Sequence, residues 1–457
     1  MEEDYEINRD KTFNSFFILY YMMYFCIGIL PVNIDNLLLY VPGTTAFGIG
    51  IIAASYLIVI LISILFFGYF GEKISEKFSR KKVFVITNLT WIISFGLISL
   101  SINYYYLLIF VIIGAIGIGA FGPIGFSMIS DFFPPNERGR KFGAMQVSLL
   151  LGTGGGIIIG GLLGTYTWSF GWRIAYGLGF VLGLLALLSY VLSGINPERG
   201  RAEPEFMDFK GEINYDYKIT FHSLGQLFKK KTVAAILIAM IFSGIANITL
   251  GTWAIFYLTT KINDVNAGLY ATTIFLLAGI GGIPGTIIGG KLGDSYFNTG
   301  KLKGRVTISL IGLILGILCF LGFYLIPFYT ATSLQIAFSW IFFIALGFLG
   351  FFLTSLCAGN ILAIYSEVCV PELMSTANAL NGFMINIGGI IGNLILSFLI
   401  ERDMSLFPFA IMLILLFWLF GSFLWIIPFF VYPKECKELR GLMSERRKQL
   451  ERNSEIN

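Results

Sequence analysis

Charge is what this chain has least of. Of its 457 residues only 13% are Asp, Glu, Lys or Arg, about half the share found in soluble domains. There is a single histidine, His222, and the five cysteines (Cys26, Cys319, Cys357, Cys369 and Cys436) show no CxxC spacing. That excludes a disulfide framework and a cysteine–histidine metal site, and no metal or cofactor is expected. No glycine-rich segment ends in Gly-Lys-Ser/Thr, which leaves an ATP-driven pump unsupported. A net charge of +4 gives no footprint for nucleic acid. The first residues, MEEDYEINRDK, are acidic and lack the basic start and small-residue cleavage site of a signal peptide. The first apolar run is therefore expected to be a retained helix.

What the chain has instead is apolar length. Hydrophobic residues make up 56% of it, and mean hydropathy is +0.80. Twelve runs suffice to cross a bilayer core about 30 Å thick: 13–34, 47–70, 83–102, 105–130, 142–164, 174–194, 233–259, 268–290, 306–328, 335–366, 376–399 and 405–432. None contains Lys, Arg, Asp, Glu or His. Of the 31 cations, all but Arg173, Lys261 and Arg402 fall in the N-terminus, the even-numbered loops or the tail. The positive-inside rule places those segments, and both termini, in the cytoplasm.

This predicts an all-α membrane protein, in the cell membrane. Its parts are a cytoplasmic N-terminus (1–12), an N-terminal bundle (13–194), a cytoplasmic linker (195–232), a C-terminal bundle (233–432) and a charged tail (433–457), read as a helix at the membrane surface. The two bundles are related. Gly68-x-x-Gly71-Glu72 closes span two and Gly290-x-x-Gly293-Asp294 closes span eight. Ser130-Asp131-x-x-x-Pro135 ends span four and Ser366-Glu367-x-x-x-Pro371 ends span ten. At that second offset Gly152 and Gly156 of span five fall on Gly388 and Gly392 of span eleven. Parallel six-helix repeats are a transporter architecture.

With these landmarks in order, the chain resembles the major facilitator superfamily along all twelve spans, and within it the spinster-like branch. GYFGEK resembles the superfamily's signature between spans two and three, although its basic part, Phe78-Ser79-Arg80-Lys81-Lys82, comes four residues late. Either Glu72 or Glu76 takes the signature's acid. Trp172-Arg173, the exit INPERGRAEPE and Thr252-Trp253-Ala254 are similar to spinster-like landmarks. The resemblance implies twelve transmembrane helices in two pseudo-symmetric six-helix bundles, the major facilitator fold, with spans one, four, seven and ten lining a central pathway.

It also implies a cytoplasmic latch made of Glu72, Arg80, Asp131, Asp294, Arg305 and Glu367. Glu72 is expected at the start of span eleven, where free helix N–H groups carry partial positive charge. Asp294 is expected at the start of span five, near Arg140 and Lys141. Arg80 with Asp131, and Arg305 with Glu367, would complete the clusters. Four-residue glycine spacing gives span five a smooth face (Gly152, Gly156, Gly160, Gly164) and span eight another (Gly281, Gly285, Gly289, Gly293). In the superfamily's fold these faces are expected to meet between the two halves. Span five also resembles the antiporter glycine motif, but Ile157 replaces its proline, so antiport does not follow.

The pathway is expected to be uncharged. Spinster-like proteins typically hold an Asp-Arg pair in span one and an Arg and a Glu in span four; here Met22, Met23, Ile113 and Ala120 stand there. The remaining cavity candidates are Tyr20, Tyr24, Phe121, Ser127, Asn247, Thr252, Trp253, Thr354, Ser355 and Asn360. The resemblance implies a non-enzymatic carrier, working as a monomer by alternating access, and such an uncharged set permits one without a buried proton-coupling residue. Its partners, as the resemblance implies, would be the bilayer and an amphiphilic small molecule, such as a lysophospholipid or related lipid. A small neutral solute, such as a sugar or drug-like compound and possibly proton-coupled, is the alternative; a non-transporting receptor or scaffold is the alternative of another class.

Overall fold

In the computed structural model, residues 2–133, 135–166, 170–197, 225, 227–262, 264, 266–370 and 373–456 are described. Most of the linker reading at 195–232 thus lies outside the described residues. No strand occurs among those described, as expected where water cannot satisfy an open backbone edge.

Twelve helices are long and apolar enough to cross a membrane. They are Glu6–Ile29, Ala46–Phe70, Arg80–Ile98, Tyr104–Phe132, Arg140–Thr165, Gly171–Ser193, Lys231–Lys261, Ala267–Asn298, Lys303–Leu325, Leu334–Val368, Thr376–Arg402 and Met404–Glu445, spans one to twelve in that order. The chain divides into two compact units, Met1–Asp216 with Thr252–Thr273, and Tyr217–Gly251 with Ile274–Asn457. Parts of spans seven and eight thus group with the first unit. There Gly161 of span five leaves room for span eight, since a Cβ on it would lie 3.2 Å from the Thr272 hydroxyl.

Several spans are broken, each for a local reason. Span four runs as a helix over Tyr104–Phe121, passes through a π-helical turn at Gly122–Phe126 and resumes over Ser127–Phe132. Pro123 opens that turn; it has no N–H to return to the preceding turn, and a wider turn absorbs the lost bond. Span ten breaks between Ser333–Ser355 and Ala358–Val368. The repeat offset carries the π turn onto residues 358–362, which are regular helix immediately after this break, so the two halves interrupt the corresponding helix at neighbouring positions. Span eight breaks between Ala267–Gly279 and Gly282–Asn298, with Pro284 in the second piece's first turn, where amides lack helical partners anyway.

Two elements differ from the sequence reading. Span one ends at Ile29 instead of continuing to 34, because Leu30 precedes Pro31 and is turned away from helical backbone. A short helix follows, Ile34–Tyr40. It is anchored by Asn33 and Asn36, whose side-chain amides donate to the carbonyls of Gly160 (3.1 Å) and Gly164 (3.3 Å) on span five. The tail is helical, as read, but it continues span twelve without a boundary at Pro433: Ile426–Ile456 is one helix with Pro433 inside it. Glu435, two residues beyond that proline, is buried. Its carboxylate accepts from the backbone N–H of Lys231 (2.8 Å) and Thr232 (3.2 Å). It thereby caps the free amides that open span seven.

Candidate functional site

The charged residues picked from the sequence assemble into two clusters, one per unit, at the basic ends of the spans. In the first unit a turn at Ser79, with φ of 60°, separates span two from span three and sets Arg80 at the head of span three. Left-handed backbone is strained for a serine. Arg80 forms an ion pair with Asp131 at the end of span four, and its other terminal nitrogen donates to the carbonyl of Pro197 at 2.7 Å. Lys81 donates to the carbonyls of Val191 (3.0 Å) and Gly194 (2.6 Å), placing a cation on the negative end of span six.

In the second unit Arg305 is 5% exposed. Its guanidinium pairs with Asp294 at 2.7 Å and lies 3.1 Å, through Nε, from Glu367. It also donates to the Asn360 side-chain oxygen at 3.3 Å. The Asn360 amide in turn donates to the carbonyls of Gly289 and Leu356, each at 3.0 Å. The Tyr432 hydroxyl donates to the other oxygen of Glu367. Gly293 is required here, because a Cβ on it would fall on the Asn360 oxygen and within 3.0 Å of Arg305. This explains the second glycine of the Gly-x-x-Gly-acid motif.

The structure thus brings Arg80 to Asp131, and Arg305 to Asp294 and Glu367. Within the units, two of the residues expected to meet have partners of their own. Asp294 pairs with Arg305 of its own unit. Lys141 pairs with Asp10 at 3.2 Å and lies over the rings of Phe13 and Phe133. The side chains of Glu72 and Glu76 lie outside the described residues.

The glycine faces require a correction. They were expected to meet between the halves, yet each is covered by a helix of its own unit. A Cβ on Gly152 would fall on the carbonyl of Tyr21, one on Gly156 on that of Phe25, and one on Gly160 would lie 3.2 Å from the Ile29 backbone. Span five therefore lies backbone to backbone on span one. Gly281, Gly285 and Gly289 meet the carbonyls of Phe348, Phe352 and Leu356 in the same way, closing span eight onto span ten. A missing side chain allows close approach to any neighbour, and spacing alone does not say which.

The cavity candidates divide. On span one Tyr20 is edge-on to Tyr24 (4.9 Å between centroids) and tilted against Phe121 (4.8 Å), with Phe126 of the π turn at 5.6 Å. Phe84 extends the layer from Phe121 (5.2 Å) to Phe16 (4.8 Å). Ser127 and Asn247 are exposed, their side chains bonded to helix carbonyls at Ile124 and Ser243. Thr252 and Ser355 are partly exposed, and Trp253 is wholly buried. Two residues are corrected. Asn360 is 0% exposed and spends its amide on the second cluster. Thr354 is 7% exposed, donates to Gly350 at 2.8 Å and packs on Gly316 of span nine. Sequence reasoning missed Tyr432, Asn33 and Asn36. A tyrosine closing span twelve and two asparagines just past a proline-ended helix were the available signals.

Two repeated six-helix halves, broken spans in each and a charged cluster at the basic end of each form an architecture that secondary transporters use. The profile of the Major Facilitator Superfamily matches residues 13–393, and the chain belongs to that family. It is similar to a solved bacterial homologue of the human lysosomal transporter Spinster, in an inward-facing, unoccupied conformation, with a TM-score of 0.73. That match has 15% identity and covers 94% of this chain and 98% of that one. It is 21% identical to the hexuronate transporter of Bacillus subtilis (strain 168), over 74% of this chain and 76% of that protein. It is 30% identical to Multidrug resistance protein 3 of the same organism, over 30% of this chain; the match spans only 25% of that relative's length.

Proposed function

We propose that the protein moves an amphiphilic small molecule, of the lysophospholipid type or a related lipid, by alternating access. The observation that carries this is the aromatic layer formed by Tyr20, Tyr24, Phe121 and Phe126, which contains hydroxyl groups but no charge; Tyr20 and Phe121 are buried in this conformation and Tyr24 and Phe126 partly exposed, so the layer would meet substrate only as the pathway opens. Such a surface packs an acyl chain or ring and hydrogen-bonds a neutral or zwitterionic head group. The fold likeness to a Spinster homologue supports the reading. The protein lies in the cell membrane with both termini cytoplasmic and works as a monomer.

The interruptions in spans four and ten supply the bends by which each half opens and closes, and the two charge clusters bias which end is closed. Transport is facilitated diffusion, because the apolar body of every span lacks a carboxylate, a histidine or a basic group. Asp131 and Glu367 are the proton carriers of the competing scheme. A second reading, a neutral hydrophilic solute such as a sugar, is favoured by the exposed Asn247 and Ser127.

Uptake into proteoliposomes of a labelled lysophospholipid and a labelled hexose, each with and without an imposed proton gradient, separates the schemes. Lipid movement indifferent to the gradient is expected. Gradient-driven accumulation would overturn the facilitator scheme, and hexose uptake alone would remove the lipid.

A further inference from the structure

A groove of about 440 Å³ lies within the second unit, along spans eight, nine and ten at their basic ends. It is lined by Leu292 and Tyr296 of span eight, by Thr307, Ile308 and Ile311 of span nine, by Leu353 and Leu356 of span ten, and by Lys301 at its mouth. Glycines make it. Gly300, with φ of +77°, turns the chain out of span eight and presents Lys301, whose N–H bonds back to the Tyr296 carbonyl at 2.9 Å. Gly304 lets Tyr296 lie against the start of span nine, and Gly312 brings span nine onto Leu353.

We propose that this groove holds a resident anionic phospholipid that is not transported. Its phosphate would sit at Lys301, with the Tyr296 and Thr307 hydroxyls nearby, and an acyl chain would follow Ile308 and Ile311 into the bilayer. Four features select this occupant. The lower wall is apolar, and Leu292 and Ile311 are exposed, as residues facing lipid tails are. From Gly304 to Gly312 the groove descends roughly 12 Å at 1.5 Å per residue, so it runs from the headgroup level into the hydrocarbon. No acidic residue lines it, and Lys301 makes no ion pair among the described residues. A lone exposed lysine at this depth on the basic side attracts anionic headgroups. Gly304, which lines the groove, directly precedes the buried Arg305, so an occupant there would brace the helix that carries Arg305.

The test uses the purified full-length chain. Native mass spectrometry reads retention of phosphatidylglycerol against phosphatidylcholine, and a phosphatidylglycerol with a photoreactive acyl chain maps the contact. Phosphatidylglycerol is expected to be retained preferentially, crosslinked to the segments 292–312 and 353–356. Lys301→Glu should lower retention about fivefold or more, while Lys291→Glu, which does not line the groove, should leave it unchanged. Ile308→Trp should fill the groove and remove the crosslink. Equal retention of both lipids, equal effects of the two lysine variants, crosslinks elsewhere, or a dimer with the groove protected would each overturn the proposal. Because the readout is occupancy, its failure is separable from failure of the transport reading.

Discussion

The two charged clusters occupy corresponding places in the repeat but are held in different ways. Around Arg305 the partners are all side chains: Asp294, Glu367 and Asn360, with Tyr432 behind Glu367. Around Arg80, among the described residues, they are one carboxylate, Asp131, and one backbone carbonyl, that of Pro197; the side chain of Glu72, which the repeat puts where Asp294 stands, lies outside them. The cause is visible in single residues. Asp131 is one carbon shorter than Glu367, and Ile124 stands where the repeat puts Asn360. Tyr190 lies in the last turn of span six, toward its basic end as Tyr432 is in span twelve, yet its buried hydroxyl has no hydrogen-bond partner among the described residues. Among the described residues, the second cluster is built of side chains, and the first also draws on the segment that leaves span six.

The largest expected effect is at the arginines. Arg305→Ala leaves Glu367 and Asn360 without their cation in a buried site, and removing one partner of a buried pair costs about 3–5 kcal/mol. Arg80 and Asp131 keep 17% and 14% of their side chains exposed, so Arg80→Ala should cost less, about 1–3 kcal/mol. Thermal unfolding in detergent checks the order; equal losses would show the two clusters to be equivalent after all.

Where the halves agree, the same substitution should cost the same in both. Gly156 lies on the Phe25 carbonyl of span one, and its repeat partner Gly392 lies on Ile245 and Thr249 of span seven. Alanine at either forces two backbones apart, at about 1–3 kcal/mol. Gly154, with nothing within 4 Å of a Cβ, should accept alanine with no loss. A tolerated Gly156→Ala would mean that span five does not rest on span one.

The tyrosines sharpen the contrast further. Tyr432→Phe removes a hydrogen bond to a carboxylate, and a loss of about 1–3 kcal/mol is expected. Tyr190→Phe removes a buried hydroxyl with no partner and should be neutral or stabilising. Parallel melting curves of the two variants decide it, and equal destabilisation would contradict the difference between the clusters.

The spans were legible in the sequence because bilayer thickness and the cost of buried charge leave few alternatives. The Arg80–Asp131 and Arg305–Glu367 combinations were legible because the motif repeats. The glycine faces were legible as faces, but their partners were not: spacing reports that a helix can be approached closely, while the approaching helix is chosen by the whole packing. Asn360 was misread for a related reason. Its position on span ten suited a cavity wall, and only its distance to Arg305 and to the Gly289 carbonyl shows that its amide is already used. Pro433 pointed to a boundary where the helix runs on, because Glu435 ties the segment just beyond it to the start of span seven.

The comparison extends to the cation-poor ends, where the smallest effect is expected. After span one the chain forms the helix Ile34–Tyr40, which carries Asp35 in its first turn; after span seven it makes a short turn through Asp264. Burial pushes the Asp35 carboxyl above its ordinary value, only partly offset by the N–H groups of Asn36 and of Asp35 itself. An acid whose folded value exceeds its unfolded value of about 3.9 binds more protons when folded across the interval between them. Its ionisation therefore opposes folding, fully above the folded value and not at all below the unfolded one. Asp35→Asn should raise the melting temperature slightly at pH 7.5, and the gain should fade as pH drops, vanishing near about pH 4. A gain that persists at low pH would assign the effect to packing of the short helix, and a loss at pH 7.5 would mean that the ionised carboxylate is held by a favourable partner.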